Sequence, residues 1–220
     1  MISREYRCIY IHIPKTAGTS IETGFGAYRR ERKRGAQDHR SIRNLNESVW
    51  PPSRGAYSLE DWAKYINQRI KARIHGFDGV TSDQMDTYFK FAFVRNPWGR
   101  VHSWYRNVMR DEQHRKELSI PADISFPDFV SNHLDVWALR SQLSWVVNEK
   151  GDIAVDYIGR FESLEDDYRT ICAKVGKPAD SLPKMLYHDT VSYRNAYDSA
   201  SKVLVAEKYA EEISRLGYLF

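Results

Sequence analysis

The stretch that decides the fold is Cys8-Ile9-Tyr10-Ile11-His12-Ile13-Pro14-Lys15-Thr16-Ala17-Gly18-Thr19-Ser20. Its first six residues are a short run rich in β-branched side chains, closed by Pro14, which predicts a buried strand. Thr16 to Ser20 are small and polar, as a tight turn requires. Ile21 and Phe25 then fall at helical spacing, ahead of a stop near Gly24 or Gly26. A strand feeding a tight turn and a helix aims several backbone N–H groups at one point, beside the positive end of the helix dipole. Lys15, Thr16, Thr19 and Ser20 add an ammonium and three hydroxyls, so the loop reads as an anion cradle. The nucleoside-triphosphatase pattern G-x-x-x-x-G-K-[ST] is absent. The lysine precedes the turn, and no hydroxyl follows a Gly-Lys pair to hold magnesium. On this segment alone, an ordinary strand-to-helix turn with a surface lysine is the competing reading.

Working outward, Phe91-Ala92-Phe93-Val94 is a second buried strand, ending at Arg95-Asn96-Pro97. Val101, Trp104, Tyr105 and Val108 recur at i, i+3, i+4 and i+7 and mark an amphipathic helix behind it. Arg95 at the strand end and Ser103 within that helix can bring a guanidinium and a hydroxyl to one phosphate, a task suited to arginine's planar fork. Alone, the pair also fits an arginine at a sheet edge and a serine on a polar face. Tyr157 to Phe161 predicts a third strand, with Ser163 as N-cap and Asp166 three residues on. The helix after it places Leu164, Tyr168, Ile171, Cys172 and Val175 on one face and stops at Gly176. A last helix from about Ser199 turns Ala206, Tyr209, Ile213 and Leu216 inward and closes at Gly217. Strand, loop and helix in repetition predict one α/β domain over residues 1–220. Its core is a P-loop-like parallel sheet flanked by helices on both faces. Residues 28–62 and 111–125 look irregular and lie beside the strand ends where such sheets bind ligands. They are expected to form the substrate walls.

Composition narrows the class. The 220 residues carry 6 Trp, 14 Tyr and 9 Phe, too many for a disordered chain. No apolar run reaches the roughly 18 residues of a membrane span. Cys8 and Cys172 both fall in apolar periodic segments and read as buried reduced thiols, with neither a disulfide framework nor a zinc cluster. The start lacks an apolar signal region. A cytoplasmic location is expected, unless a membrane anchor belongs to the native protein. The net charge of +4 suits an anionic ligand and is far from a nucleic-acid-binding excess. The basic run Arg29 to Arg34 reads as a solvated loop more readily than as a site for a polyanion, and no aromatic residue interleaves it.

Taken together, the loop at 14–20 and Arg95-Asn96-Pro97-Trp98-Gly99-Arg100-Val101-His102-Ser103-Trp104-Tyr105 resemble the PAPS-dependent sulfotransferases, PAPS being 3′-phosphoadenosine 5′-phosphosulfate. The match is closest to the carbohydrate-type branch related to Golgi glycan sulfotransferases and their bacterial relatives. Val155 to Glu162 and Ile213 to Phe220 look like the family too. The segment Asn46–Gln84 departs from it by its length. The resemblance implies that Lys15, Thr16, Ala17, Gly18, Thr19 and Ser20 bind the 5′-phosphosulfate. It implies that Arg95 and Ser103 bind the 3′-phosphate. Arg194 stands where the family often has a basic loop near the nucleotide. Arg160, ending a strand beside the site, is a further candidate, a salt bridge near Glu162 being its alternative.

Sulfuryl transfer then requires in-line positioning, charge stabilisation on the leaving oxygen and a general base for the acceptor. Lys15 is expected to supply the charge, giving adenosine 3′,5′-bisphosphate as product, with no metal. The base is expected to be His39, which resembles the family's histidine-bearing stretch between the two nucleotide motifs. His75 and the carboxylate of Glu22 are the alternatives. Asp38 is expected to raise the His39 pKa. His12 reads as a core histidine, His102 as packing or adenine support, and Trp98 and Trp104 as packing. The implied acceptor is a glycan or a small hydroxylated molecule, without nucleic acid. A P-loop nucleotide or small-molecule kinase, and a non-catalytic nucleotide- or glycan-binding relative, are the rival readings.

Overall fold

A computed structural model describes residues 1–27, 37–45, 66, 67, 70, 74, 77, 79–180, 182 and 192–220. In chain order the elements begin with β1 (Ile2–Ser3), β2 (Cys8–Ile11), α1 (Gly18–Gly24), α2 (Ile42–Leu45), α3 (Ser82–Thr87) and β3 (Phe89–Val94). Then come α4 (Pro97–Met109), α5 (Glu112–Glu117), α6 (Phe126–His133), α7 (Leu143–Val146) and β4 (Tyr157–Arg160). The chain closes with α8 (Leu164–Val175), α9 (Ser199–Lys208) and α10 (Ala210–Leu216). This is a mixed α/β architecture that divides into two compact units. One holds Met1–Ile13, Ala17–Val94 and Leu143–Met185; the other holds Pro14–Thr16, Arg95–Gln142 and Leu186–Phe220.

The first unit contains a four-stranded sheet in the order β1-β2-β3-β4. β2, β3 and β4 run parallel, with Tyr10 opposite Phe91 and Phe91 opposite Tyr157. Every residue of β2 is buried, as its unbroken apolar run demands. The expected all-parallel sheet is corrected at one edge, where β1 pairs antiparallel to β2. Only residues 4–7 separate these strands, and a parallel connection needs a dozen or more. β2 also ends at Ile11, so His12 and Ile13 leave the ladder before the loop. Tyr10, Ile21, Phe91, Phe93, Tyr168, Ile171 and Cys172 form the core against α1 and α8. Cys8 and Cys172 are free and buried; burial pushes the Cys8 thiol up to about 12. Ser163 precedes α8 as expected but makes no capping bond to its first turn. Asp167, not Asp166, organises the corner by accepting from the Tyr157 hydroxyl at 2.6 Å, the Arg160 N–H at 2.7 Å and the Ser163 hydroxyl at 2.7 Å.

The second unit is helical, and its core gathers Trp98, Val101, Val108, Phe126, Phe129, Leu139, Val205 and Tyr209. Trp104 and Tyr105 are partly buried against it. α4 begins where Asn96 accepts from the N–H groups of Trp98 and Gly99, with Pro97 in the first turn, so an N-cap and a proline fix its start. Two further expectations are corrected. Residues 111–125 contain α5, capped by Asp111, which accepts from the His114 N–H at 3.0 Å. The single C-terminal helix is two, broken at Tyr209, whose hydroxyl donates to the Leu139 carbonyl. The expected irregular stretch 28–62 and the segment Asn46–Gln84 lie largely outside the described residues, and the run Arg29 to Arg34 lies wholly outside them.

Gly159 in β4 gives a direct test of sheet packing. A Cβ there would stand 2.6 Å from the Phe93 ring. Gly159→Ala must therefore displace a core aromatic and should cost about 1–3 kcal/mol, the scale of overpacking. Thermal unfolding should show Tm lower by several degrees; an unchanged Tm would refute this packing.

Candidate active site

In the first unit, three predicted candidates and one core histidine meet. His12 is buried, and its Nδ1 lies 2.9 Å from Glu22 Oε1. Burial pushes the Glu22 carboxyl up, but the hydrogen bond and charge of His12 outweigh it and the net shift is downward. The carboxylate is thus ionised, and His12 Nδ1 carries the proton between them. The other side of the ring faces the turn. A Cβ on Gly18 would stand 1.8 Å from His12 Nε2, so only glycine admits the ring here. Ala17, the N-cap of α1, holds a positive φ of 71°, and no side chain caps the helix. Thr19 is held on both sides: its hydroxyl accepts from Gln37 Nε2 at 2.9 Å and its carbonyl from the Thr23 hydroxyl at 2.7 Å.

The His39 ring packs against His12 at 4.3 Å, centre to centre, tilted by 60°, and its Nδ1 lies 2.9 Å from the His12 carbonyl. A carbonyl only accepts, so Nδ1 bears the hydrogen and Nε2 of the neutral ring keeps its lone pair. Trp145 Nε1 donates to the His39 carbonyl at 3.1 Å, which fixes the backbone. Burial, followed by the neighbouring His12, lowers the His39 pKa to about 3. The expected upward pull of Asp38 is overridden. Asp38 is instead paired with Arg40 through two bonds of 2.8 Å and is itself lowered to about 2. Glu22, the alternative base, is buried and committed to His12. His75 lies outside the described residues.

The second unit holds Lys15, Thr16, Arg95 and Ser103. Lys15 adopts a positive φ of 68°, and its Nζ donates to Asn107 Oδ1 at 3.2 Å. Arg95 Nη1 reaches the Lys15 carbonyl at 3.4 Å. Burial first, then the charges of Arg95 and Arg110, lower the Lys15 pKa to about 8. An anion placed among these cations would relieve their mutual repulsion. Ser103 lies one helical turn before Asn107, so the two share a face of α4. Thr16 is fully buried. His102 packs edge-on against Phe126, as the packing reading expects, and burial lowers its pKa to about 4. Trp98 is buried in the core. Arg160 is exposed at the end of β4. Arg194 is exposed too, its guanidinium 5.1 Å from the Tyr193 ring centre and 5.9 Å from that of Phe220.

Sequence reasoning quoted Arg100 within a motif but gave it no role. It is buried, with Nε donating to the Pro14 carbonyl at 3.1 Å, Nη1 to the Arg140 carbonyl at 2.9 Å and Nη2 to the Ala138 carbonyl at 2.6 Å. Gln142 was missed outright. Its side-chain oxygen accepts from the Arg95 N–H and its nitrogen donates to the Arg95 carbonyl, both at 2.8 Å. No local pattern marks a glutamine that bonds a peptide so distant in the chain.

The model of the family described as "Sulfotransferase family" matches residues 1–216. The chain belongs to the sulfotransferase family. Among its relatives, carbohydrate sulfotransferase 11 of Danio rerio is 24% identical over 83% of this chain and 54% of its own length. Carbohydrate sulfotransferase 8 of Homo sapiens is 25% identical over 60% of this chain and 36% of its own. An uncharacterized protein of Archaeoglobus fulgidus is 30% identical over 43% of this chain and 73% of its own. The chain thus aligns with about half or less of the two carbohydrate sulfotransferases. No solved structure matches. Among the described residues, no helix is long and apolar enough to cross a membrane, and no group of three or more His, Cys, Asp or Glu is placed to hold a metal.

The depressed histidines set an acid sensitivity. Between about pH 6.5 and the folded values of about 3 for His39 and about 4 for His102, the unfolded chain binds protons that the folded chain refuses. Stability should therefore fall as pH drops through this window, by up to about 1.4 kcal/mol per pH unit for the deeply buried His39 and by less for the half-exposed His102, which solvent screens. Urea unfolding at pH 7, 6 and 5 should show this slope, and His39→Gln should remove one histidine's share. An unchanged slope in that variant would contradict a buried neutral His39.

Proposed function

We propose that this sulfotransferase moves the sulfuryl group of PAPS to a hydroxyl or amine of a glycan or glycan-like acceptor. The observation that carries the donor assignment is the gathering of cations at the turn: Arg95 Nη1 reaches the Lys15 carbonyl, and burial, then the charges of Arg95 and Arg110, lower the Lys15 pKa to about 8. The donor is anionic at both ends of its nucleotide, and the residues present suit it. The loop 15–20 takes the phosphosulfate, while Arg95 and Ser103 take the 3′-phosphate, with Arg160 and Arg194 as peripheral cations. No metal is part of this reading. The acceptor class rests on the printed names of the two carbohydrate sulfotransferases. A P-loop-like fold follows from the same reading. Two buried free thiols fit a reducing compartment, and the cytoplasm is the location we assign.

In the transfer, the acceptor oxygen forms a bond to sulfur as the bond from sulfur to the bridging phosphate oxygen breaks. His39 Nε2 receives the acceptor proton, because Nδ1 is already committed to the His12 carbonyl. The Lys15 ammonium stabilises charge on the departing adenosine 3′,5′-bisphosphate. Backbone N–H groups of Ala17 to Thr19 complete the cradle.

The test is incubation with PAPS and a panel of glycans, reading the mass of one added sulfo group, with EDTA present. His39→Ala should cut turnover by about 10²–10⁴-fold, the contribution of a general base, and leave the affinity for adenosine 3′,5′-bisphosphate unchanged. Loss of binding in step with turnover would sink the base assignment. A second outcome concerns Lys15, which must be protonated to act. kcat/KM should fall above about pH 8, and Lys15→Arg should remove that fall by keeping its charge. A limb that persists in Lys15→Arg belongs to another group.

A further inference from the structure

Glu212 in α10 is distant in sequence from both nucleotide-binding segments, yet it is only 1% exposed. Its carboxylate accepts from the Ser141 hydroxyl at 2.9 Å, from the Gln142 N–H, and from Gln142 Nε2. Gln142 is fully buried, and its side-chain amide closes a ring of two hydrogen bonds with the peptide of Arg95. All these bonds agree with a single orientation of the amide. Oε1 accepts from the Arg95 N–H, and Nε2 shares its two hydrogens between the Arg95 carbonyl and Glu212. A flipped amide would face a donor with a donor and an acceptor with an acceptor, so the carboxylate selects the orientation that grips Arg95.

Glu212 also acts on the lysine side. Burial lowers the Arg100 pKa, and the charge of Glu212 is the first influence that opposes it. Arg100 in turn donates to the carbonyl of Pro14, the residue before Lys15. One buried carboxylate thereby supports both the peptide of Arg95 and, through Arg100, the backbone just before Lys15.

We propose that Glu212 is a positioning residue for the donor nucleotide, acting through Gln142 on Arg95 and through Arg100 on the turn that carries Lys15. This rests on the reading of Arg95 and Lys15 as donor ligands. A guanidinium binds phosphate well only when its planar fork is aimed, and its aim begins at the peptide from which it projects. A misplacement of about 1 Å is enough to lose such a contact.

Isothermal titration of adenosine 3′,5′-bisphosphate and of AMP, well below the Tm, separates positioning from bulk stability. Wild type should prefer the bisphosphate, and Arg95→Ala should abolish the preference. Gln142→Met keeps the volume and loses the amide. It should weaken bisphosphate binding by about tenfold, equivalent to about 1.4 kcal/mol, while AMP binding changes less than about twofold. Glu212→Gln should weaken both ligands, since it also removes the countercharge of Arg100. Val205→Ala, a cavity in the same core, should lower Tm and leave the ratio of affinities unchanged. If Gln142→Met keeps the wild-type ratio, the positioning role is wrong although the donor reading stands. If wild type itself shows no preference, the donor reading falls and the positioning role falls with it. Should Glu212→Gln fail to fold, Gln142→Met still decides the matter.

Discussion

The guanidinium of Arg100 is buried and gives its hydrogens to the carbonyls of Pro14, Ala138 and Arg140. A cation removed from water costs several kcal/mol unless its donors are satisfied and a countercharge is near. Here the fork is met by backbone oxygens, and Glu212 supplies the opposite charge. Three chain segments that share no local sequence are thereby held to one side chain. Lys15 follows Pro14 directly, so the placement of the catalytic candidate depends on this buried charge. The lysine itself sits at a positive φ, a conformation disfavoured for a residue with a side chain, and needs such external support.

The first unit solves a related problem with a buried carboxylate and two imidazoles. His12 is pinned by Glu22 on one edge and by the absent side chain of Gly18 on the other. Its own carbonyl then selects the tautomer of His39. Burial keeps His39 uncharged across the neutral range, with its hydrogen on Nδ1. The low pKa of the free protein limits its basicity.

Much of the fold was legible because its signals are local. The apolar runs at 8–13 and 91–94 fall in the parallel strands β2, which ends earlier at Ile11, and β3, which begins earlier at Phe89, and the 3.6-residue spacing behind Arg95 became α4. The turn between β2 and α1 was legible too, from its small and polar residue types. What was not legible depends on contacts distant in sequence. Pairing of β1 follows from a short connection, and the break at Tyr209 coincides with a hydroxyl that finds the Leu139 carbonyl. Asp38 does pull the His39 pKa upward, as its place in the sequence implied, but burial and the neighbouring His12, which only the fold reveals, outweigh it. The support of Arg95 by Gln142 and Glu212 has no sequence signature, because a buried glutamine and glutamate acquire meaning only from the peptide they meet.

The central claim is that these side chains are arranged for sulfuryl transfer from a nucleotide donor. A single-turnover experiment with PAPS labelled in its sulfur, with a glycan acceptor and EDTA, addresses it most directly. The account predicts label covalently on the acceptor in wild type, in a yield that Lys15→Ala and His39→Ala each reduce. Label that stays on the nucleotide, or that passes only to water at a rate indifferent to these two substitutions, would contradict it.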